Sequence, residues 1–392
     1  MLRHLPPAAT PLTLADFGQG LRATAKTLPR FQAAVAHYLG ANDCALAASG
    51  RTALYLLLRR LSAERPTRRE VVLPAYTCPA LVKVIVDAGL QPSLVDISSR
   101  TLAFAPKELV GHVHARTLAV ICVHPFGIPQ AIEEVVARAH AVGAMVIEDA
   151  AQALGARIGG RTLGAQGDFG LFSLGPGKPL STGGGGIVCA NSEASARLLD
   201  EAWQELAPAS AVATGWASVR LALLALAFHP AGWWLATRAG LHHAGNHEAS
   251  WGYRVSGLTT TQAAIGLSLL ARLDAINGRR CHNARQLMAR LQAFDFVHVP
   301  PAPAAAAPVY LRLPLIVDNE ERRERLWRRL AAAGIGAGRM YRHSLPELFP
   351  QLATRNYPGA AAVARRLLTL PTHHHLAPAD MALTASIFQA EL

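Results

Sequence analysis

Charge is scarce in this chain. Of its 392 residues only 16% are Asp, Glu, Lys or Arg and only 6% are aromatic, whereas 51% are apolar. A disordered chain has the opposite balance, so the composition calls for many buried helices and strands. Cysteine is sparse too: Cys44, Cys78, Cys122, Cys189 and Cys281 are widely spaced and odd in number. That pattern fits a reducing, cytoplasmic setting better than a disulfide framework. The N-terminal stretch before Phe17 has a basic start but no apolar run of export-signal length. The formal charge of +12 is carried mostly by scattered arginines, without zinc-finger spacing, a recognition-helix signature or an aromatic-basic sheet motif. Nucleic acid is therefore not expected as a partner, and no metal site is expected either.

No uninterrupted apolar run reaches the roughly 20 residues a membrane-spanning helix needs. The nearest approach, Leu221 to Thr237, is broken at His229-Pro230. It reads either as buried helices at a subunit interface or as a hairpin lying on the inner face of a membrane. In the second reading Trp233 and Trp234 sit at headgroup level, with Arg220 and Arg238 at the ends.

The length exceeds what one core usually covers, so a large and a smaller domain are expected, divided near residue 256. Between Ala47 and Ala190 short apolar runs alternate with helix-like segments, the pattern of a parallel sheet covered by helices. A helix begins near Ser49, strands follow at Val71–Pro74, SLVDI and LAVICVH, and the run AMVIEDAA reads as a buried strand with an acidic end. GDFGLFSL and GGIVCA add two more strands. An apolar helical insertion covers about 205–250. From about Gly257 the periodicity predicts one long bridging helix, then a turn or linker over Pro300–Pro308, and then a strand, a charged helix, the LLTLP strand and a terminal helix. That makes a small α+β domain over 257–392.

Three places carry chemistry. Lys178 lies in the loop FSLGPGKPLSTGGGG, where glycines let backbone approach a ligand, and it is the only lysine after Lys107. A lysine in such a turn is ordinarily just solvated. Glu148 and Asp149 end a strand where open α/β sheets place their ligand crevice; a buried carboxylate there needs a partner, whether a helix cap, an internal ion pair or a cationic ligand. Ser49-Gly50-Arg51-Thr52 opens a helix, which suits a phosphate and equally an ordinary N-cap. An amine, an anion and a phosphate cradle are together what pyridoxal phosphate (PLP) requires of a protein.

The ordered blocks ASGRTAL, VVLPAYTCPALVKVIVDAGLQPSLVDI, ICVHPFGIP and VIEDAAQALGARIGGRTLGAQGDFGLFSLGPGKPLSTGGGG resemble the DegT/StrS family of sugar aminotransferases. The resemblance implies a fold-type I PLP transferase: a mostly parallel seven-stranded sheet flanked by helices, plus the small domain. It makes Lys178 the Schiff-base lysine and Asp149 the partner of the pyridine nitrogen. Gln152 becomes a neighbour of the ring hydroxyl, and Ser173, Gly50, Arg51 and Thr52 become phosphate ligands. Cys78 stands where the family stacks an aromatic on the cofactor, with Tyr76 as a nearby substitute; His124 is either functional or a packed strand-end histidine. Gly184 replaces the acid of a Gly-Glu-Gly-Gly turn, and Gly252 replaces an asparagine that usually reaches the partner subunit's phosphate. The implied activity is amino transfer from glutamate to a keto-sugar or related keto acceptor in a homodimer. A descendant that binds cofactor or a membrane partner without turnover is the rival reading.

Overall fold

The computed structural model describes residues 3–204, 206–240 and 252–392. The end of the expected insertion, 241–250, and Trp251 lie outside the described residues. In chain order the strands are β1 (Asp43–Ala47), β2 (Glu70–Pro74), β3 (Gln91–Val95), β4 (Thr117–Val123), β5 (Met145–Asp149), β6 (Arg157–Ile158), β7 (Arg161–Thr162), β8 (Phe169–Ser173), β9 (Gly186–Ala190), β10 (Val297–His298), β11 (Ala306–Ala307), β12 (Arg312–Val317) and β13 (Leu367–Pro371). Seven of them form one sheet in the order β1-β9-β8-β5-β4-β2-β3. Its pairings are parallel except those that β9 makes with β1 and β8. β10, β12 and β13 form a second, antiparallel sheet.

Local chemistry sets the elements. The Ser49 hydroxyl accepts the Thr52 N–H at 3.1 Å and starts the helix Gly50–Glu64. Leu54, Leu57, Leu58 and Leu61 give that helix its buried stripe, and it stops at Arg65, where the following Pro66 disfavours helical backbone. Along β5, side chains alternate between the two faces of the sheet. Met145 and Ile147 pack in one core cluster and Val146 in another, so Asp149 belongs to the first side and Glu148 to the second. Parallel strands buried on both faces read as continuous apolar runs, as β4 and β5 do.

The smaller sheet has its own core, built from Leu313, Leu315, Val317, Leu326, Leu330, Leu368, Leu370 and Phe388. Two segments cross the division expected near residue 256: Leu5 packs into this smaller core, and the helix Thr260–Leu270 packs with the helix Thr27–Leu39 beside the large sheet.

Two expectations are corrected, the single long helix and the reading of the cysteines. The single long helix after Gly257 is two, Thr260–Leu270 and Leu273–Leu291, separated at Ala271-Arg272. The Arg272 guanidinium there turns back to Asp16, at 2.7 and 2.8 Å. The reading of the cysteines against disulfides fails for one pair. Cys44 and Cys189 are 145 residues apart, but antiparallel β1 and β9 set them opposite each other, Cα–Cα 4.0 Å, as a disulfide. Cys78, Cys122 and Cys281 are free. The apolar stretch is a pair of helices, Ala211–Ala227 and Pro230–Arg238, bent by 83°. It is not buried as a whole: Val212, Trp216, Leu223, Leu226 and Leu235 are exposed. No single described helix is long and apolar enough to cross a membrane.

Candidate active site

The carboxyl ends of β2, β5 and β8 bring the sequence-predicted groups to one side of the large sheet. Asp149 ends β5 and is buried, 7% exposed. Its Oδ1 accepts the Ala151 N–H at 3.1 Å, and Oδ2 has no hydrogen-bond partner among the described residues. Burial pushes its carboxyl up, against the pull of the nearby Lys178 charge and the Ala151 N–H. Lys178 lies in the loop between β8 and β9. Burial pushes its ammonium down, Asp149 and Cys78 oppose that, and the Arg312 charge adds to it. Burial thus disfavours the charged form of each group, although the two lie within electrostatic reach of each other.

The Lys178 loop is pinned from several directions. Its backbone N–H donates to Gly175 at 3.3 Å, and Gly177 adopts the left-handed conformation, φ +72°, that lets the chain turn into it. Arg280, buried in the helix Leu273–Leu291, donates to the Pro179 carbonyl at 3.0 Å and to Asn277 Oδ1 at 2.8 Å. Gln262 Nε2 donates to the Gly184 carbonyl at 3.0 Å. A Cβ on Gly184 would run into Arg220, so the space next to this turn holds a guanidinium.

The phosphate candidates separate. Gly50 stands against Ser173, a Cβ on it lying 3.5 Å from the Ser173 Cβ. The Ser173 hydroxyl accepts the Gly175 N–H at 3.3 Å and has donor capacity left. Gly50 and Arg51 open the helix whose first-turn N–H groups lack intrahelical partners. Thr52 differs: it is fully buried, its N–H is taken by Ser49, and its hydroxyl donates to the Arg254 carbonyl at 2.7 Å. It closes the cap and offers no donor to a ligand.

Gln152 accepts the Phe126 N–H through Oε1 at 3.0 Å, which leaves its Nε2 as the remaining donor. His124 is packed and structural. Its Nδ1 accepts the Gln130 N–H at 3.0 Å, so the ring proton sits on Nε2 and donates to Glu148 at 3.1 Å. Glu148 in turn accepts three backbone N–H groups, from Gly164, Gln166 and Gly167. Of the adjacent acids, only Asp149 faces the Lys178 side.

Two groups escape a sequence reading. Tyr341, from the segment before β13, meets Cys78 and feels Asp149; burial and both neighbours hold its phenol well above the ordinary value. It is the aromatic beside Cys78. Tyr76 is packed edge-on against it, ring centroids 5.8 Å apart, with its own hydroxyl donating to the Met340 carbonyl. Arg312, at the start of β12, brings a guanidinium to the same place, and burial lowers its pKa to about 10. A lone arginine inside the apolar run VYLRLPLIV was the available signal.

The site admits PLP on its own geometry. A buried carboxylate short of partners costs several kcal/mol, and a protonated ring nitrogen supplies the missing charge. The amine and the helix start would supply the other two contacts.

Comparison with known proteins agrees. The chain is 29% identical over 368 residues to a UDP-N-acetyl-3-dehydro-alpha-D-glucosamine 3-aminotransferase of Acidithiobacillus ferrooxidans, covering 91% of this chain and 85% of that one. The crystal structure of the sugar aminotransferase CalS13 from Micromonospora echinospora is 26% identical with a TM-score of 0.77, covering all of both chains. The Helicobacter pylori PseC aminotransferase, involved in the biosynthesis of pseudoaminic acid, shares the fold at 17% identity, with a TM-score of 0.81 over 99% of each chain. A model of the DegT/DnrJ/EryC1/StrS aminotransferase family matches residues 17–388, and the chain belongs to that family.

Proposed function

We propose that the chain moves an amino group from an α-amino acid, glutamate by family precedent, to a keto-sugar or related keto acceptor, using PLP. The observation that carries this reading is the meeting of Lys178 and Asp149, both shifted by burial, at the carboxyl end of the large sheet. Lys178 would hold the cofactor through its amine, Asp149 the ring nitrogen, and Gln152 Nε2 the ring hydroxyl. Ser173 with the helix start at Gly50 and Arg51 would hold the phosphate. When bound, the cofactor supplies an electron sink for the carbon that loses its proton.

The chain's own residues do the rest. The Lys178 amine would also be the base and acid that moves the substrate's proton between carbons. Its lowered pKa favours the neutral amine that this task needs. Asp149 keeps a positive ring nitrogen charged, and Tyr341 and Cys78 cover the site against water. The name of the Acidithiobacillus relative supports a keto-sugar as acceptor, in cell-surface polysaccharide or secondary-metabolite biosynthesis. The reading includes a cytoplasmic homodimer and the two-domain division at residue 256.

The rival, a membrane-associated member without turnover, draws on the exposed stripe Val212, Trp216, Val219, Leu223 and Leu226, spaced alternately four and three residues apart. Peripheral contact with a membrane through this face is compatible with activity and part of the proposal. The deciding experiment is spectral. Purified protein should show the visible band of lysine-bound PLP, and glutamate should bleach it. A band that glutamate leaves untouched favours the rival.

A further inference from the structure

Arg280 and Arg312 each hold a guanidinium inside the protein with no acid paired to it. Arg280 is satisfied by three acceptors: the Pro179 carbonyl, Asn277 Oδ1 and, at 3.4 Å, the Ala9 carbonyl. Arg312 is not. Half-buried at the first position of β12, its side chain has neither a hydrogen-bond acceptor nor an ion-pair partner among the described residues. A Cβ on Gly338 would lie 3.1 Å from its Nη1, and one on Gly177 would lie 3.8 Å from its Nη2. The fork therefore rests between two residues without side chains, one of them adjacent to Lys178. Lys178 and Tyr341 both feel its charge.

We propose that Arg312 receives the α-carboxylate of the amino donor. The inference rests on the transaminase reading and extends it to a named contact. A donor's amine must come to where the Lys178 amine was, and in an α-amino acid the carboxylate is one carbon from that amine. A cation that binds this carboxylate has to stand beside the lysine, as Arg312 does. The phosphates of a nucleotide sugar are separated from the keto carbon by the sugar ring, so they meet the protein farther out. A planar guanidinium matches a carboxylate with two parallel hydrogen bonds, which fixes the donor's orientation as well as its charge. β12 is held between β10 and β13 in a sheet, a rigid base for such a contact. The missing partner of Arg312 then arrives with the substrate.

The test compares wild-type, Arg312→Gln and Arg312→Lys proteins, all loaded with PLP. The visible band is titrated with L-glutamate and with propylamine, which has an amine but no carboxylate, and succinate binding is measured by calorimetry. Arg312→Gln is expected to raise the half-saturating glutamate concentration at least about thirtyfold and to weaken succinate binding. Its response to propylamine should fall far less than its response to glutamate, and Arg312→Lys should recover part of the glutamate loss. An Arg312→Gln protein that retains its band and titrates with glutamate like wild type overturns this inference alone. An equal loss toward propylamine also overturns it, since the site rather than a carboxylate contact has then been damaged. Wild-type protein that does not respond to glutamate overturns the transaminase reading and this inference together.

Discussion

Replacing Glu148 by glutamine and Asp149 by asparagine, one at a time, separates the roles of two neighbouring acids on one strand. Glu148 Oε1 accepts the Gln166 and Gly167 N–H groups at 2.6 and 2.8 Å, and Oε2 accepts Gly164 N–H at 2.9 Å and His124 Nε2 at 3.1 Å. A glutamine amide turns one of those oxygens into a donor, so two of the four bonds vanish and two buried donors face another. At about 1.5–3 kcal/mol for each hydrogen bond to a charged group, less what a neutral side chain saves in burial, the loss is about 3–5 kcal/mol. Asp149→Asn is the opposite case. It removes a charge that burial disfavours and keeps the Ala151 contact, so stability should stay within about 1 kcal/mol. The rate at which glutamate bleaches the cofactor band should fall by about 10²–10³, as for other preorganised charge contacts. Thermal unfolding and stopped-flow absorbance of cofactor-saturated proteins measure the two effects. A Glu148→Gln protein as stable as wild type but inactive, or an Asp149→Asn protein that is unstable yet fast, would refute the division of labour.

Stability should also fall in mild acid. Burial lowers the His373 ring to about 3 from an ordinary 6.5, so below pH 6.5 the unfolded chain takes up a proton that the folded one refuses. Its contribution is complete above pH 6.5 and is lost as pH falls toward 3, by up to about 1.4 kcal/mol per pH unit; denaturant midpoints of His373→Gln should show a flatter slope between pH 6.5 and 4.5. Gly186→Ala tests the phosphate turn by space alone. Its Cβ would run into the backbone of Ser49 and Gly50, so equilibrium dialysis should show weakened PLP binding and unfolding curves a loss of about 1–3 kcal/mol; unchanged affinity would remove the turn from the site. For the exposed stripe, Leu223→Asp with Leu226→Asp should abolish co-sedimentation with anionic liposomes without changing the cofactor band. Equal sedimentation of variant and wild type would exclude a membrane role for this face.

Much of the fold was legible because parallel strands buried on both faces give apolar runs such as AMVIEDAA, and because Ser49 marks a helix start locally. The break at Ala271-Arg272 was not legible: no glycine or proline stands there, and the Arg272 contact with Asp16 spans more than 250 residues. The Cys44–Cys189 pairing was hidden by the same kind of distance, since only the antiparallel return of β9 brings the two together. At the site, Lys178 and Asp149 stood out because a buried charge needs a reason. Tyr341 and Arg312 did not, because they approach from the smaller sheet's side of the cleft and carry no local motif. For Thr52 a phosphate turn and an ordinary cap share the same sequence pattern, and only the structure shows its N–H and hydroxyl engaged by Ser49 and Arg254.

The most direct measurement of the central claim is to reduce the cofactor-loaded protein with borohydride, digest it and locate the PLP label by mass spectrometry. The account predicts a single labelled peptide carrying the modification on Lys178, absent from Lys178→Arg protein that otherwise folds normally. A label on Lys26, Lys83 or Lys107, or a Lys178→Arg protein that still traps the cofactor, would contradict it.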